Sequence, residues 1–185
     1  MTVINIPRRV FLDTNVINFI MDYSDSIFEN AEIQAGLPLR DIADIEALRL
    51  IFETGARAHW ELAVSNVTYV EITNTVDKSR RKALQGWFSE TWSYWRDCFD
   101  EDGGLSDDHA NKLAVEMECS GALAMFPDPC DRTLIAHAIA YNCDAFCTRD
   151  SRTILKKVSP NIGVGIEFLS PQSWGARVKC VAALF

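Results

Sequence analysis

The sequence predicts an α/β fold with a mostly parallel central sheet flanked by helices. A short apolar run, Val10–Leu12, ends directly in small polar residues, as a buried strand does at a tight turn. Three further strand candidates follow at 60–65, 145–148 and 163–168. Segments with apolar residues at helical spacing separate these strands, and such alternation is typical of parallel sheets.

Composition is consistent with one globular domain spanning residues 1–185. The chain is 48% hydrophobic, which is ample for a core, and no apolar run approaches the about 20 residues of a membrane helix. Six cysteines are scattered without a CxxC pair, so a zinc site is not indicated. Because no cleavable export signal is evident, we expect reduced thiols in a cytoplasmic protein without a membrane anchor.

The net charge of −8 argues against a broad basic surface for nucleic acid. It does not exclude an enzyme that acts on nucleic acid, because part of an acidic excess can lie in a metal site. The same charge would suit a basic segment of a partner protein. The net charge alone therefore does not distinguish an enzyme that acts on nucleic acid from a protein that binds a basic partner.

The first strand places Asp13 at the carboxyl end of a central strand, where open parallel sheets bind ligands. Thr14 or Asn15 is expected to cap the next helix, and Ser65 or Asn66 the helix after the second strand. The mixed stretch 22–39 is expected to be a loop or broken helix, with turns at 100–104 and 126–129 and an unassigned tail. Helices are predicted over 15–23, 41–57, the residues after Ser65, 79–99, the residues after Ser106, 131–141 and 151–157.

For two of these helices, the sequence also predicts which side chains are buried. The helix over 79–99 has an aromatic stripe, Leu84 to Phe99, that fits a core or protein-binding face better than a surface for stacking bases. The helix after Ser106 is expected to bury Leu113, Val115, Met117, Leu123, Ala124 and Met125.

Four acidic residues stand beside predicted strand ends and helix starts: Asp13, Glu71, Asp131 and Asp150. In a parallel α/β fold those positions share one edge of the sheet, so their carboxylates are expected to converge. Carboxylates packed together repel one another unless cations pair them, and oxygen-rich sites suit Mg²⁺ or Mn²⁺. Such ions stabilise in-line attack at phosphorus. The competing interpretation is four separate caps or solvated charges.

The same residues resemble the motifs of the PIN domain, a fold of metal-dependent nucleases. The similar segments, in order, are VFLDTN (10–15), SNVTYVEI (65–72), DRTLIAHA (131–138), CTRD (147–150) and GIEFLSP (165–171). The resemblance implies a three-layer fold and an acidic pocket for one or two divalent ions, formed by Asp13, Asp131 and Asp150 as ligands. Glu71 is the family acid of the second motif and would bind metal or orient the attacking water. Many small members of the family are ribonuclease toxins paired with an antitoxin.

Other residues near the predicted pocket receive supporting roles. Thr14 and Asn15 are expected to hold Asp13 by hydrogen bonds, and Thr148 to lie at the edge of the site. Arg149 and Arg152 are placed to meet a phosphate, although solvated charges are an equal alternative. Asp128 is a further acid close to Asp131, and His137 is more consistent with a structural histidine than with a general base.

These observations predict an endoribonuclease dependent on Mg²⁺ or Mn²⁺, with RNA as its substrate. Whether it would be a toxin or a housekeeping RNA-processing nuclease is left open, because the stretches 21–60 and 87–104 are longer than in small family members. A catalytically inactive PIN-like binding module is the alternative. A small-molecule phosphohydrolase is disfavoured, since no DxDxT-like motif or glycine-rich phosphate loop is present. An interface for a homodimer or an antitoxin is expected on part of the 84–99 or 41–52 helix.

Overall fold

Four short strands form one parallel sheet in the part of the chain that the computed structural model describes. That part comprises residues 6–58, 60–74, 78–79, 81–86, 89, 107–157 and 164–184. The strands are β1 (Arg9–Leu12), β2 (Glu61–Ala63), β3 (Ala145–Cys147) and β4 (Glu167–Leu169). Their order is β2-β1-β3-β4, and every neighbouring pair is parallel. The predicted α/β class and the inner position of the first strand are thereby confirmed.

Helices link the strands and follow the last of them. They are α1 (Thr14–Asp22), α2 (Ser24–Phe28), α3 (Leu39–Ala58), α4 (Asn66–Thr73), α5 (Asp107–Ser120), α6 (Pro129–Ala140) and α7 (Pro171–Lys179), and a 3₁₀ turn (Ala182–Leu184) follows. Residues 78–79 and 81–86 are also helical. Most of the predicted 79–99 helix, the predicted cap Ser106 and the predicted turn at 100–104 lie outside the described residues. Leu84, at the start of the predicted aromatic stripe, is buried.

Two hydrophobic cores cover the two faces of the sheet. Successive side chains of a strand point to opposite faces, so Val10 and Leu12 enter one core and Phe11 enters the other. The first core contains apolar residues of α1, α3 and α7, and the second contains those of α5 and α6. The Phe11 ring stacks on Phe146 at a centroid distance of 5.5 Å. Helices, sheet and helices thus form the three layers.

Helices α3 and α7 pack together with almost no space between their backbones. A Cβ atom added at Gly175 would lie 2.8 Å from the Cβ of Ala47, closer than van der Waals contact allows. Trp174 beside it is fully buried and contacts Trp60, with ring centroids 5.7 Å apart. The apolar residues of α3 that face inward are Ile45, Leu48 and Ile51. That face of α3 is therefore used within the chain and is not available as the predicted partner interface.

Helix α6 begins at Pro129, two residues before the predicted start at Asp131. Asp128 occupies the N-cap position, and its Oδ1 accepts a hydrogen bond of 2.8 Å from the Cys130 amide. Proline is suited to the first helical position because its fixed φ fits and its missing N–H has no partner there. The predicted break at 126–129 is confirmed, and it ends in a helix cap.

Other boundaries also differ from the prediction. Residues 151–157 form consecutive turns and not a regular helix, and Asp150 caps them by accepting the amides of Arg152 and Thr153. The last strand is shorter than predicted and begins at Glu167. The unassigned tail forms α7, which the Ser170 capping box and Pro171 initiate.

The predicted burial along α5 is partly wrong. Val115 is 63% exposed, Met125 is 37% exposed and Ala124 is also exposed, whereas Leu123 is buried and Leu113 and Met117 are half-buried. The helix ends at Ser120, and Gly121 adopts a positive φ of 70° that starts a run of turns. Ala124 and Met125 therefore leave the helical register on which the prediction rested, whereas Val115 lies within the helix and is exposed there.

Within the described residues, no helix is both long and apolar enough to cross a membrane.

Candidate functional site

The carboxyl ends of β1 and β3 define a crevice at one edge of the sheet. From β1 the chain continues to β2 on one side, whereas from β3 it continues to β4 on the other. This reversal is the switch point at which open α/β sheets bind ligands. The two strands stay joined at this end, because the amide of Asp13 donates to the carbonyl of Cys147 at 3.0 Å.

Asp13 lies at the bottom of this crevice with only 3% of its surface exposed. Its Oδ2 accepts one hydrogen bond from the Thr148 hydroxyl at 2.5 Å and another from the Asn15 side-chain amide at 2.6 Å. Asp13 occupies the N-cap position of α1 but makes no side-chain capping bond. The expectation that Thr14 or Asn15 would cap this helix is therefore wrong, and the Asp13 carboxylate is directed to the crevice.

Glu71 reaches the same edge from α4 and is held by Thr14. The Thr14 hydroxyl donates a short hydrogen bond to Oε2 of Glu71. Thr14 was expected to hold Asp13, but as the first residue of α1 it reaches α4 instead. Asn15 does bind Asp13, and Thr148 is fully buried against it instead of lying at the site edge.

Asp131 approaches from the first turn of α6, and its half-buried carboxylate makes no hydrogen bond to the described residues. Burial raises the pKa of Asp131 to about 6, and repulsion by Asp128, Asp150 and Glu71 adds to this rise. Such an unpartnered carboxylate among other carboxylates is costly unless a cation compensates it. Asp128, which the sequence left undecided, belongs to the electrostatic surroundings of the site.

Burial and neighbouring acids also raise the pKa values of Asp13 and Glu71. Burial raises the pKa of Asp13 to about 7; the Thr148 hydrogen bond lowers it, and the charges of Asp131 and Glu71 raise it further. The pKa of Glu71 is also raised, first by burial, despite the hydrogen bond from Thr14 that lowers it. The structure therefore brings Asp13, Glu71 and Asp131 within electrostatic reach of one another.

Asp150 is differently stabilised at the rim of the crevice. Its Oδ1 accepts the backbone amides of Arg152 at 2.7 Å and Thr153 at 2.8 Å, and its Oδ2 accepts the Thr153 hydroxyl. Partial burial raises the pKa of Asp150, but these hydrogen bonds lower it more, so the net shift is downward. Asp150 is thus a charged acid that both caps a turn and raises the pKa of Asp131.

The structure does not direct Arg149 toward the crevice, where it was expected to meet a phosphate. Its Nε donates to Asp44 at 2.8 Å, a second guanidinium nitrogen pairs with Asp41, and the guanidinium lies 3.6 Å from the ring centroid of Phe19. Arg152 is exposed, and in the described part of the chain its guanidinium has no ion pair or hydrogen bond. Arg152, and not Arg149, is therefore the arginine available to a ligand.

Sequence reasoning missed two acids of α3, Asp41 and Asp44, which bind Arg149. Asp44 is buried, with 1% of its surface exposed, and it contacts Arg149 and Gln172. An acid one residue before the buried Ile45 was the available signal, because buried acids require a cationic or polar partner. His137 is fully buried, burial lowers its pKa, and it contacts Tyr141 edge-on at 6.0 Å. It does not face the crevice solvent, as expected of a structural histidine.

The acids of the crevice offer carboxylate oxygens, which are the ligands that hard divalent cations such as Mg²⁺ prefer. Among the residues that the structure describes, no three carboxylate, imidazole or thiol groups already stand close enough to hold an ion. The protein matches no known protein-family model, curated protein or solved structure. The resemblance to PIN domains therefore stays a prediction based on the sequence motifs.

The raised pKa of Asp13 predicts a pH-dependent penalty in the metal-free protein. The ordinary value is 3.8 and the folded value is about 7, so the folded state holds the proton more tightly. Stability from this group is full below pH 3.8 and is lost as the pH rises toward 7. One pKa unit corresponds to about 1.4 kcal/mol. In EDTA, the free energy of unfolding of the wild type relative to Asp13→Asn should fall by about 4 kcal/mol between pH 4 and pH 8. Urea unfolding of both proteins across this range measures the difference, and a constant difference would contradict the assignment.

Proposed function

We propose that this protein is a divalent-metal-dependent endoribonuclease with its active site in the β1–β3 crevice. The observation that carries the proposal is the set of four acids from different elements whose charges act on one another: Asp13, Glu71, Asp131 and Asp150. Separate helix caps would not leave the Asp131 carboxylate half-buried and without a hydrogen bond. The sequence motifs that resemble those of PIN nucleases centre on the same four acids.

Asp13, Asp131 and Asp150 are the proposed ligands of Mg²⁺ or Mn²⁺. A bound divalent cation supplies charge neutralisation and Lewis-acid assistance to phosphodiester hydrolysis. Because the carboxylates do not already converge at ligand distances, we infer that the Asp131 carboxylate rotates toward the ion when it binds. The unbonded carboxylate of Asp131 is free to do so, whereas Asp13 is fixed by Thr148 and Asn15.

The residues of this chain would then divide the remaining tasks. Asp13 provides a fixed, buried carboxylate at the base of the crevice, and Asp150 provides one that hydrogen bonds keep ionised. Glu71, with its raised pKa and its bond from Thr14, is placed to orient the attacking water or to accept its proton. Its burial limits competing solvent at that position.

An RNA strand must approach this acidic edge against the net charge of −8. Three exposed cations lie in the turns that follow Asp150: Arg152, Lys156 and Lys157. None of them has an ion pair in the described residues, whereas the side chains of the other described arginines are engaged. These turns are therefore the proposed contact for the phosphates that flank the cleaved bond.

Replacing Arg152 tests the proposed phosphate contact independently of the cleavage step. Arg152→Gln should raise the KM for an RNA oligonucleotide about tenfold at low salt and leave kcat near the wild-type value, because a phosphate contact away from the reacting bond contributes mainly to binding. Lys179→Gln, which removes an exposed cation on α7, is the matched control and should change neither constant. Equal effects of the two variants would show that only net charge matters.

Two further aspects belong to the proposal. A cytoplasmic ribonuclease with an open acidic crevice would need restraint, and a basic segment of an antitoxin would complement it. A housekeeping RNA-processing nuclease, a homodimer and an inactive PIN-like binding module are the alternatives. Co-purification from the native cell distinguishes an antitoxin-bound toxin from a housekeeping nuclease. Size measurement in solution tests the homodimer. The unpartnered carboxylate of Asp131 disfavours the inactive module, because a scaffold gains nothing from it.

The proposed activity is tested by incubating the purified protein with a mixed RNA pool. Cleavage should occur with Mg²⁺ or Mn²⁺, stop with excess EDTA and return when the ion is restored. Asp131→Asn should be inactive under the same conditions. Metal-independent cleavage, or no cleavage by folded wild-type protein with either ion and any RNA in the pool, would reject the proposal.

A further inference from the structure

Arg149 is the centre of a hydrogen-bonded chain that connects α3 with the base of the crevice. Its guanidinium donates to Asp44 at 2.8 Å, and its backbone amide donates to Oδ1 of Asn15 at 2.9 Å. The Asn15 side-chain amide in turn donates to Oδ2 of Asp13 at 2.6 Å. The chain therefore begins at a buried acid on one helix and ends on a proposed metal ligand.

Asp44 is almost completely buried, and both of its carboxylate oxygens are engaged. Oδ2 accepts from Arg149, and Oδ1 accepts from the side-chain amide of Gln172 in α7 at 3.0 Å. Removing a carboxylate and a guanidinium from water costs free energy. An apolar pair of similar size would often give equal stability. This charged pair joins α3 to the loop after β3, and it consequently needs an explanation beyond stability.

Arg149 makes further contacts besides its bond with Asp44. Asp41 pairs with its guanidinium, the Phe19 ring lies below it, and Arg40 donates to its backbone carbonyl. A guanidinium in a two-acid clamp with an aromatic base has little rotational freedom. The backbone of the loop after β3 is fixed with it, including the Arg149 amide that donates to the Asn15 side chain.

The orientation of Asn15 follows from this fixed amide. A side-chain amide has one acceptor oxygen and one donor nitrogen, so accepting from Arg149 turns its NH₂ group toward Asp13. The same nitrogen lies 3.2 Å from the Thr148 hydroxyl, which also donates to Asp13. Outer hydrogen bonds of this kind commonly orient the ligands of metal sites.

We propose that Asp44 is a positioning residue that acts through Arg149 and Asn15 to fix the Asp13 carboxylate for cation binding. The proposal rests on the function proposed above, because it assigns the clamp to the same site. Asp44 touches neither the crevice nor a substrate, so its effect reaches the site only through this chain. The clamp explains why Arg149 is withdrawn from solvent although it follows Thr148 at the crevice.

Asp44→Asn is the primary test, since it keeps the shape of the side chain and removes its charge. The affinity for Mn²⁺, measured by titration calorimetry, should fall about 10- to 100-fold, and kcat for RNA cleavage should fall by a similar factor with KM unchanged. The control is Glu167→Gln, which removes the partner of Arg177 in a comparable pair at the opposite end of the strands. This control should bind Mn²⁺ like the wild type.

Two readouts separate positioning from a general structural effect. Hydrogen exchange of the Arg149 amide should accelerate in Asp44→Asn while the most protected core amides exchange at unchanged rates. The double variant Asn15→Ala with Asp44→Asn should bind Mn²⁺ no more weakly than the worse single variant, because both break the same chain. If Asp44→Asn does not fold, Arg149→Lys replaces it; a lysine cannot bond both acids in one plane, so an intermediate loss is expected.

The outcomes distinguish the two proposals. A folded Asp44→Asn protein with wild-type Mn²⁺ affinity and wild-type exchange at Arg149 would overturn the positioning role, as would fully additive losses in the double variant. If wild-type protein binds no Mn²⁺, the proposed function fails instead. In that case unchanged exchange at Arg149 would still reject the clamp, and faster exchange would support it as a structural coupling.

Discussion

Asp13→Asn is expected to reduce metal-dependent RNA cleavage by about 1,000-fold or more while leaving the fold intact. The change removes the charge of the most buried proposed ligand at constant shape, and the asparagine oxygen can still accept from Thr148 and Asn15. Burial and neighbouring acids raise the pKa of this carboxyl, so its loss also relieves repulsion. Loss of activity should therefore accompany equal or higher stability of the metal-free protein.

The experiment combines cleavage kinetics with thermal melting in EDTA and in Mg²⁺. Asp144→Asn is the matched control, because Asp144 lies at the opposite end of the same strands and accepts the amides of Arg8 and Arg9. The control should cleave at a near wild-type rate, and Mg²⁺ should raise its melting temperature as it does for the wild type. A folded Asp13→Asn protein with wild-type cleavage would remove Asp13 from the site.

Trp174→Ala is expected to have the largest effect on stability, a loss of about 3–5 kcal/mol in the free energy of unfolding. The Trp174 side chain is fully buried where α7 meets α3 and the first core. Beside it, Gly175 and Ala47 already bring the two helix backbones into contact, so the helices cannot move closer to fill the cavity. Urea unfolding monitored by circular dichroism measures the loss.

Phe28→Ala provides the comparison for this substitution. The Phe28 ring is half-exposed and contacts Phe52 at a centroid distance of 4.9 Å, so its removal should cost below about 1.5 kcal/mol. A similar loss for both variants would mean that the α3–α7 contact is no more important than a surface contact. Because α7 also carries Gln172, which binds Asp44, Trp174→Ala is expected to weaken Mn²⁺ binding as well.

The sequence was most informative where a local pattern alone determines the structure. The apolar run Val10–Leu12 followed by Asp13 predicted an inner strand ending at the crevice, and the parallel connection rules placed the other acids at the same edge. Each of these inferences depends on a strand end or a helix start, which local residue types specify. The fold class could be predicted for this reason, whereas the convergence of the four acids on one ion stays a prediction.

The partners of individual side chains could not be predicted in the same way. Thr14 binds Glu71 and Arg149 binds Asp41 and Asp44, which are 57 to 108 residues away along the chain. Such pairs depend on how helices dock across the sheet and leave only a weak signal, for example an acid within an apolar helical stripe. The burial of Ala124 and Met125 was mispredicted because the turn at Gly121 ended the helical register.

Crystals of the protein soaked with Mn²⁺ provide the most direct test of the central claim that the crevice is a divalent cation site. Anomalous density is expected in the crevice, with carboxylate oxygens of Asp13, Asp131 and Asp150 as ligands at about 2.2 Å, the range of metal–carboxylate bonds to small divalent ions. The peak should be absent in Asp13→Asn crystals soaked in parallel. No peak in the crevice of the wild type, or an equal peak in the variant, would contradict the account.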